Sequence, residues 1–132
     1  MFADAISYLF PGIDFEQQCV IVSDGSGERI ASWSHQAPRP ASAELDAAML
    51  PAAKAAHIAA INAECRARLI ARYGPAEEQV SRAIGVYGAT EQSAMQAGIA
   101  ATIDASNTAS NAALAATDIA AVEAVSVSWP VI

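Results

Sequence analysis

The chain has 132 residues, which is enough for one domain, or for one small domain with a helical extension. Hydrophobic residues make up 54% of the chain, but alanine supplies much of that fraction and only 6% is aromatic. Large core side chains are therefore scarce, which favours long helices packed through small residues. The net charge is −7, and no Lys or Arg follows Arg82. Nucleic acids and anionic membranes bind through cations, so neither is an expected partner.

Cysteine spacing and hydropathy indicate the redox compartment of the protein and whether a membrane span is expected. Cys19 and Cys65 have no metal-ligand spacing, and two reduced thiols in a cytosolic setting are the default expectation, with one disulfide left open. The first residues lack a cationic segment, so we expect no secretory signal. No run of about 18 apolar residues is present, and no membrane span is predicted.

The first third of the chain predicts a helix followed by a β-hairpin. Residues 2–10 carry an apolar stripe at a spacing of four and end at a Pro-Gly pair. Residues 19–23 and 29–33 have strand composition, and the glycines of Asp24-Gly25-Ser26-Gly27 can adopt the positive φ of a hairpin turn. A lone hairpin is marginally stable, so this one must pack on another element.

The middle of the chain predicts a linker and three helices. The two prolines of residues 38–42 indicate an extended linker, and Ser42 is the predicted N-cap of a short helix over 43–50. Pro51 is predicted to open a second helix, which reaches residue 73. Gly74-Pro75 then separates this helix from one over 76–87. The i,i+4 spacing predicts two ion pairs, Glu64–Arg68 and Glu78–Arg82.

The last third predicts a long Ala-rich helix, a short helix and a strand. Thr90 is the predicted cap of the long helix, and Met95, Ile99 and Ile103 are predicted to line one side of it. Whether this helix continues through the Ser/Thr/Asn-rich residues 104–111 is left open. Thr117 or Asp118 caps the short helix, and the alternation in residues 125–129 predicts a strand that adds to the hairpin edge.

Together these elements predict an α+β fold, in which a small antiparallel sheet packs against several Ala-rich helices. The N-terminal helix and hairpin occupy 1–37, the proline linker occupies 38–42, and a helical region that ends in a short strand occupies 43–132.

No cluster of residues that could carry out catalysis is evident. His35 and His57 have no second ligand at helical spacing, so neither is expected to bind a metal. Ser26 lies in a turn without a nucleophile-elbow motif, and Gly25-Ser26-Gly27 lacks the lysine of a phosphate-binding loop. We therefore expect a non-enzymatic protein without catalytic residues, cofactor or metal. An enzyme of an unfamiliar type is the third alternative.

Two groups of side chains are candidates for a partner surface. The arginines concentrate in one stretch. They form either a docking face for an acidic partner or a second subunit, or a solvated face paired with Glu64 and Glu78. The aromatic candidates are either a small core beneath the sheet or part of a partner groove. The candidate residues are Arg66, Arg68, Arg72, Arg82, Tyr8, Trp33 and Trp129.

The order of motifs resembles small proteins of bacteriophage and prophage tail regions. The shared features are Phe10-Pro-Gly-Ile-Asp, the D-G-x-G-x-x-I-x-x-W hairpin of residues 24–33, the P-x-x-x-E-L that starts at Pro40, and Ile61-Asn62-Ala63. The chain end from Ile119 is also similar, so the resemblance extends over most of the chain. It implies no catalytic residues.

The resemblance implies a tail accessory protein that acts by contact with a tail or tail-fibre protein, as an assembly chaperone or adaptor. The alternative is a permanent minor virion component, in which the Ala-rich helix forms an oligomeric bundle. The expected location is the host cytoplasm during assembly, or the virion tail.

Overall fold

A computed structural model describes residues 1–132 and contains five helices and one two-stranded sheet. The predicted α+β class is confirmed. No helix combines the length and the apolar character that crossing a membrane requires. The elements in chain order are α1 Phe2–Leu9, β1 Cys19–Asp24, β2 Gly27–Trp33, α2 Ser42–Tyr73, α3 Ala76–Ala83, α4 Ala89–Ala115 and α5 Ile119–Glu123.

The hairpin forms as predicted and contains one β-bulge. β1 and β2 pair antiparallel, with Val20 opposite Ser32 and Ile21 opposite Ile30, so Ala31 is the extra residue. Asp24 closes the turn, because one oxygen of its carboxylate accepts the Ser26 backbone N–H at 2.9 Å. Hydrogen bonds from Ser26, through its side chain and its backbone, lower the pKa of Asp24.

The hairpin is stabilised by packing on α1 and on the start of α2. Six buried residues form this N-terminal core, namely Ala5, Ile6, Cys19, Ile30, Leu45 and Ala48. Burial raises the pKa of the Cys19 thiol, as expected for a thiol in an apolar core. Cys19 and Cys65 are both free and buried.

α2 is one continuous helix of 32 residues, so the predicted division into two helices at Pro51 is wrong. Pro51 has no N–H to donate to the Ala47 carbonyl, and such an interruption is costly in a helix interior. The helix continues because Leu45, Ala48 and Ala52, on both sides of the proline, are buried. Tertiary packing therefore outweighs the local preference.

The start of α2 is also shifted by one residue. Ala41 rather than Ser42 is the N-cap, and the Ala41 N–H donates to the Glu44 carboxylate at 2.7 Å. The helix ends where predicted, at Gly74, whose φ of 84° lies in the left-handed region. The predicted Glu64–Arg68 ion pair is confirmed, with a separation of 2.8 Å.

α4 packs against α2 through small and hydroxyl-bearing residues. Its buried residues are Met95, Thr102, Ser106, Ala109 and Ala113, at spacings that fall on one helix face. The polar members are satisfied, because the Thr102 hydroxyl donates to the Gly98 carbonyl at 2.7 Å and the Ser106 hydroxyl donates to Asn62 Oδ1 at 3.3 Å. The predicted face was wrong at Ile103, which is 41% exposed.

The open question about residues 104–111 is resolved by the same contacts. α4 continues through them without a break, since Ser106 and Ala109 are buried against the rest of the protein. The predicted cap at Thr90 was wrong, because α4 already begins at Ala89 after Gly88. α3 ends at Ala83 instead of 87, and Arg82 pairs with Glu91 rather than with Glu78.

The chain end is extended but joins no sheet, so the predicted third strand does not form. Asp118, one of the two predicted caps, is the N-cap of α5, and its carboxylate accepts the Ala121 N–H at 2.7 Å. The Val125 carbonyl then accepts a hydrogen bond from His57 at 2.9 Å, and the Trp129 ring lies under Arg68. Val125, Val127 and Trp129 are half-buried and the two serines between them are exposed. The alternation thus reflects a segment that lies along α2.

The close approach of α2 and α4 generates a prediction at Gly98. A Cβ added there would lie 1.9 Å from the hydroxyl of the buried Tyr73. We expect Gly98→Ala to lower the free energy of unfolding by about 1–3 kcal/mol, the usual cost of overpacking, measured by urea denaturation.

Two variants test the cause of this loss. Gly25→Ala is the matched control, because no atom lies within 4 Å of the Cβ that it would add. Tyr73→Phe combined with Gly98→Ala removes the clashing hydroxyl and should restore part of the lost stability. A Gly98→Ala protein as stable as the original would contradict the prediction.

The contact between α1 and the hairpin generates a prediction about pH. Glu28 accepts the Phe2 N–H at 2.7 Å, and this hydrogen bond is the main cause that lowers the pKa of Glu28. A lowered pKa means that the ionised carboxylate stabilises the fold above the ordinary value near 4.5. This stability is lost as pH falls through the folded-state pKa.

We therefore expect Glu28→Gln to flatten the acid side of the curve of stability against pH, from about pH 4.5 downward. The measurement is chemical denaturation at several pH values. Glu16→Gln is the control, because the Glu16 carboxylate forms no hydrogen bond in the structure. An equal acid slope in all three proteins would refute the assignment.

Candidate functional site

The structure separates the predicted partner surface into distinct places. Tyr8 lies on α1, Trp33 ends β2, and the arginines lie on α2 and α3. Trp33 contributes to the N-terminal core, as its ring meets Phe10 edge-on at 5.1 Å between centroids and its Nε1–H donates to the Ala37 carbonyl at 2.8 Å. Tyr8 is 48% exposed and remains available for contact.

One interpretation of the sequence placed Trp129 with the aromatic residues beneath the sheet, but Trp129 lies elsewhere. The Arg68 guanidinium lies 4.9 Å from the centroid of its ring. The same guanidinium donates twice to one Glu64 oxygen, at 2.8 and 2.9 Å. Arg68 therefore helps to hold the C-terminal segment against α2, and much of its charge is neutralised within the chain.

Two of the other three arginines also have partners within the chain. Arg72 lies over the Tyr73 ring at 5.3 Å, and Arg82 lies over the Tyr87 ring at 4.9 Å. Arg82 also forms an ion pair with Glu91, which links α3 to α4. Arg66 is exposed and forms no ion pair, hydrogen bond or ring contact. The four arginines thus differ in how much charge they can offer a partner.

Both histidines interact with the backbone. His57 Nε2 donates to the Val125 carbonyl and so ties the C-terminal segment to α2. His35 Nδ1 accepts the Ala37 N–H at 3.1 Å, while its ring packs beside Phe10 and Trp33. No three His, Cys, Asp or Glu side chains come close enough together to hold a metal ion.

The structure reveals an exposed apolar surface that was not among the predicted sites. It consists of Val80, Ile84, Val86 and Tyr87, on α3 and in the turn after it, and is called the α3 patch below. Val80 is 61% exposed and Ile84 is 72% exposed. Large apolar side chains that are exposed within one short stretch of chain are candidates for a protein-binding surface. In the sequence, Val80, Ile84 and Tyr87 fall at helical spacing on one face of the helix predicted over 76–87.

Comparison with known proteins gives one match. A protein-family model described as XkdW protein matches residues 2–57. The family is phage-related, so the match supports an association of this protein with phage. The matched segment includes α1, the hairpin and the proline linker, and it ends before Ile61-Asn62-Ala63 and the chain end. Searches of curated proteins and of solved structures find no significant match.

The tie between His57 and the C-terminal segment generates a prediction. We expect His57→Ala to loosen residues 125–129, because the Val125 carbonyl loses its donor. The measurement is acrylamide quenching of Trp129 fluorescence in a Trp33→Phe background, and quenching should increase. His57→Gln keeps an N–H donor and should show a smaller increase. Unchanged quenching in His57→Ala would exclude this role.

Proposed function

We propose that this phage-associated protein is non-enzymatic and acts by protein–protein contact in the assembly or attachment of tail fibres. The observation that carries the proposal is the α3 patch, on a chain whose N-terminal segment matches a phage-related family. Burying one large apolar side chain contributes about 1.5–3 kcal/mol, so covering this patch would stabilise a complex substantially. The proposed partner is a tail or tail-fibre protein.

Two features support a contact function over catalysis. His35 Nδ1 and His57 Nε2 each form a hydrogen bond with the backbone of the chain. The buried Cys19 thiol, with its raised pKa, lacks the activated thiolate of a catalytic cysteine. The proposed location is the host cytoplasm during assembly, or the virion tail.

The outer face of α4 favours a second candidate function, a permanent minor virion component that forms an oligomeric helical bundle. α4 is continuous over 27 residues, and its solvent side carries mainly small side chains. Small residues let helices approach closely, as the α2–α4 contact within this chain demonstrates.

Co-expression with a candidate phage tail-fibre protein tests the contact proposal. We expect the two proteins to co-purify, and Ile84→Asp to abolish this because it places a charge within the α3 patch. Leu114→Asp is the matched control, since Leu114 is also more than half exposed but lies at the end of α4. Absence of co-purification together with unchanged fibre solubility would refute the assembly role.

Mass spectrometry of purified particles separates the two candidates. A virion component is present at a fixed copy number, whereas an assembly factor is absent from mature particles. Detection at a fixed copy number would therefore exclude a pure assembly factor and favour the second candidate or the attachment role.

A further inference from the structure

A groove of about 440 Å³ lies between α2 and α4, where the start of α3 closes one end. It is called the α2–α4 groove below. Its size is in the range of sites that hold a few side chains of a ligand. Its lining includes Asn62, Arg66, Ile70, Ile103 and Asn107.

The walls of the α2–α4 groove present apolar side chains to water. Ile70 of α2 is 46% exposed, and Ile103 of α4 is 41% exposed. The floor includes Leu69 and the buried Cys65. Because small residues fill the α2–α4 contact, these isoleucines are left at its edge. A ligand with apolar side chains would gain free energy by covering them.

The same groove carries the cation of this chain that has no partner. Every other Lys or Arg is engaged by a carboxylate, a backbone carbonyl or an aromatic ring. These residues are Arg29, Arg39, Lys54, Arg68, Arg72 and Arg82. Arg66 has none of these contacts, although the chain carries twice as many acidic as basic residues. A guanidinium binds a carboxylate through paired hydrogen bonds, so Arg66 is complementary to an acidic side chain.

Amide groups complete the lining. Asn62 accepts from Ser106 through its Oδ1, which leaves its NH₂ free to donate. Asn107 is exposed beside it and forms no hydrogen bond within the chain. Amides that can both donate and accept are suited to the backbone of a bound peptide.

We propose that the α2–α4 groove binds a short segment of a partner protein that carries two apolar side chains and a carboxylate. The apolar side chains cover Ile70 and Ile103, and the carboxylate pairs with Arg66. The net charge of −7 disfavours a second copy of this chain as the occupant, because two strongly acidic surfaces repel each other. This inference rests on the proposed contact function and specifies one recognition chemistry for it.

Selection of short random peptides displayed on a carrier tests the groove directly with the purified chain. We expect the selected peptides to be enriched in two apolar residues together with Asp or Glu. A synthetic peptide of the selected sequence should bind Arg66→Ala about tenfold more weakly, the loss expected for one charged hydrogen-bonded contact. Arg66→Glu should reverse the preference, so that selection on this variant yields Lys or Arg in place of the acid.

Further variants locate the site. Ile103→Asp should abolish binding, and Ile103→Ser, a milder change at an exposed position, provides the same test if the first variant folds poorly. Arg68→Glu is the matched control, because Arg68 lies on the same helix but contacts Glu64 and Trp129 outside the groove. Its effect on peptide binding should be less than twofold.

Three results of the peptide selection and of sedimentation analysis would overturn the proposed occupant. They are selection of peptides without acids, an unchanged preference in Arg66→Glu, and a dimer in sedimentation analysis that Ile103→Asp converts to a monomer. The last would identify a second copy of the chain as the occupant. Failure of peptide binding with intact co-purification of the fibre protein would refute the groove alone. Peptide binding without co-purification of the fibre protein would refute the tail-fibre role and leave the groove assignment unaffected.

Discussion

The packing of α2 against the four other helices is the constraint on which the rest of the structure depends. α1 covers its first turns, α5 contacts its middle, and α3 follows its C-terminal end. α4 runs along α2 from Lys54 to Tyr73. If α2 broke at Pro51, the surface that receives α1 and the hairpin would no longer be joined to the surface that receives α4. The buried residues on both sides of Pro51 keep the helix continuous despite the missing backbone donor.

The alanine-rich composition determines how these helices meet and what remains outside. α2 and α4 approach closely enough at Gly98 that the Tyr73 phenol occupies the space of a side chain. An interface of small residues has little room for large apolar ones, so Ile70 and Ile103 lie exposed at its edge. The scarcity of large core residues and the presence of exposed apolar surfaces thus have the same cause, and these surfaces are the ones suited to a protein partner.

The family match and the proposed contact surfaces lie in different parts of the chain. Residues 2–57 contain α1, the hairpin and the first half of α2, which share the N-terminal core. The α3 patch and the α2–α4 groove are formed mainly by residues after 57. The N-terminal part therefore supports the phage association, while the helical part carries the surfaces proposed for recognition. In this arrangement α2 connects the two parts as one rigid helix.

Local chemistry by itself determined the features that depend on neighbouring residues. The glycine turn of the hairpin, the helix end at Gly74, the Asp118 cap and the Glu64–Arg68 pair are all decided within a few positions. Tertiary structure alone decided the continuity of α2 at Pro51, the continuity of α4 through 104–111, and the position of the chain end. Alternation at 125–129 correctly indicated an extended segment, but only His57 and Arg68 determine that its neighbour is a helix. Likewise, the sequence predicted an arginine cluster, whereas contacts between distant residues decided that Arg66 alone is left unpaired.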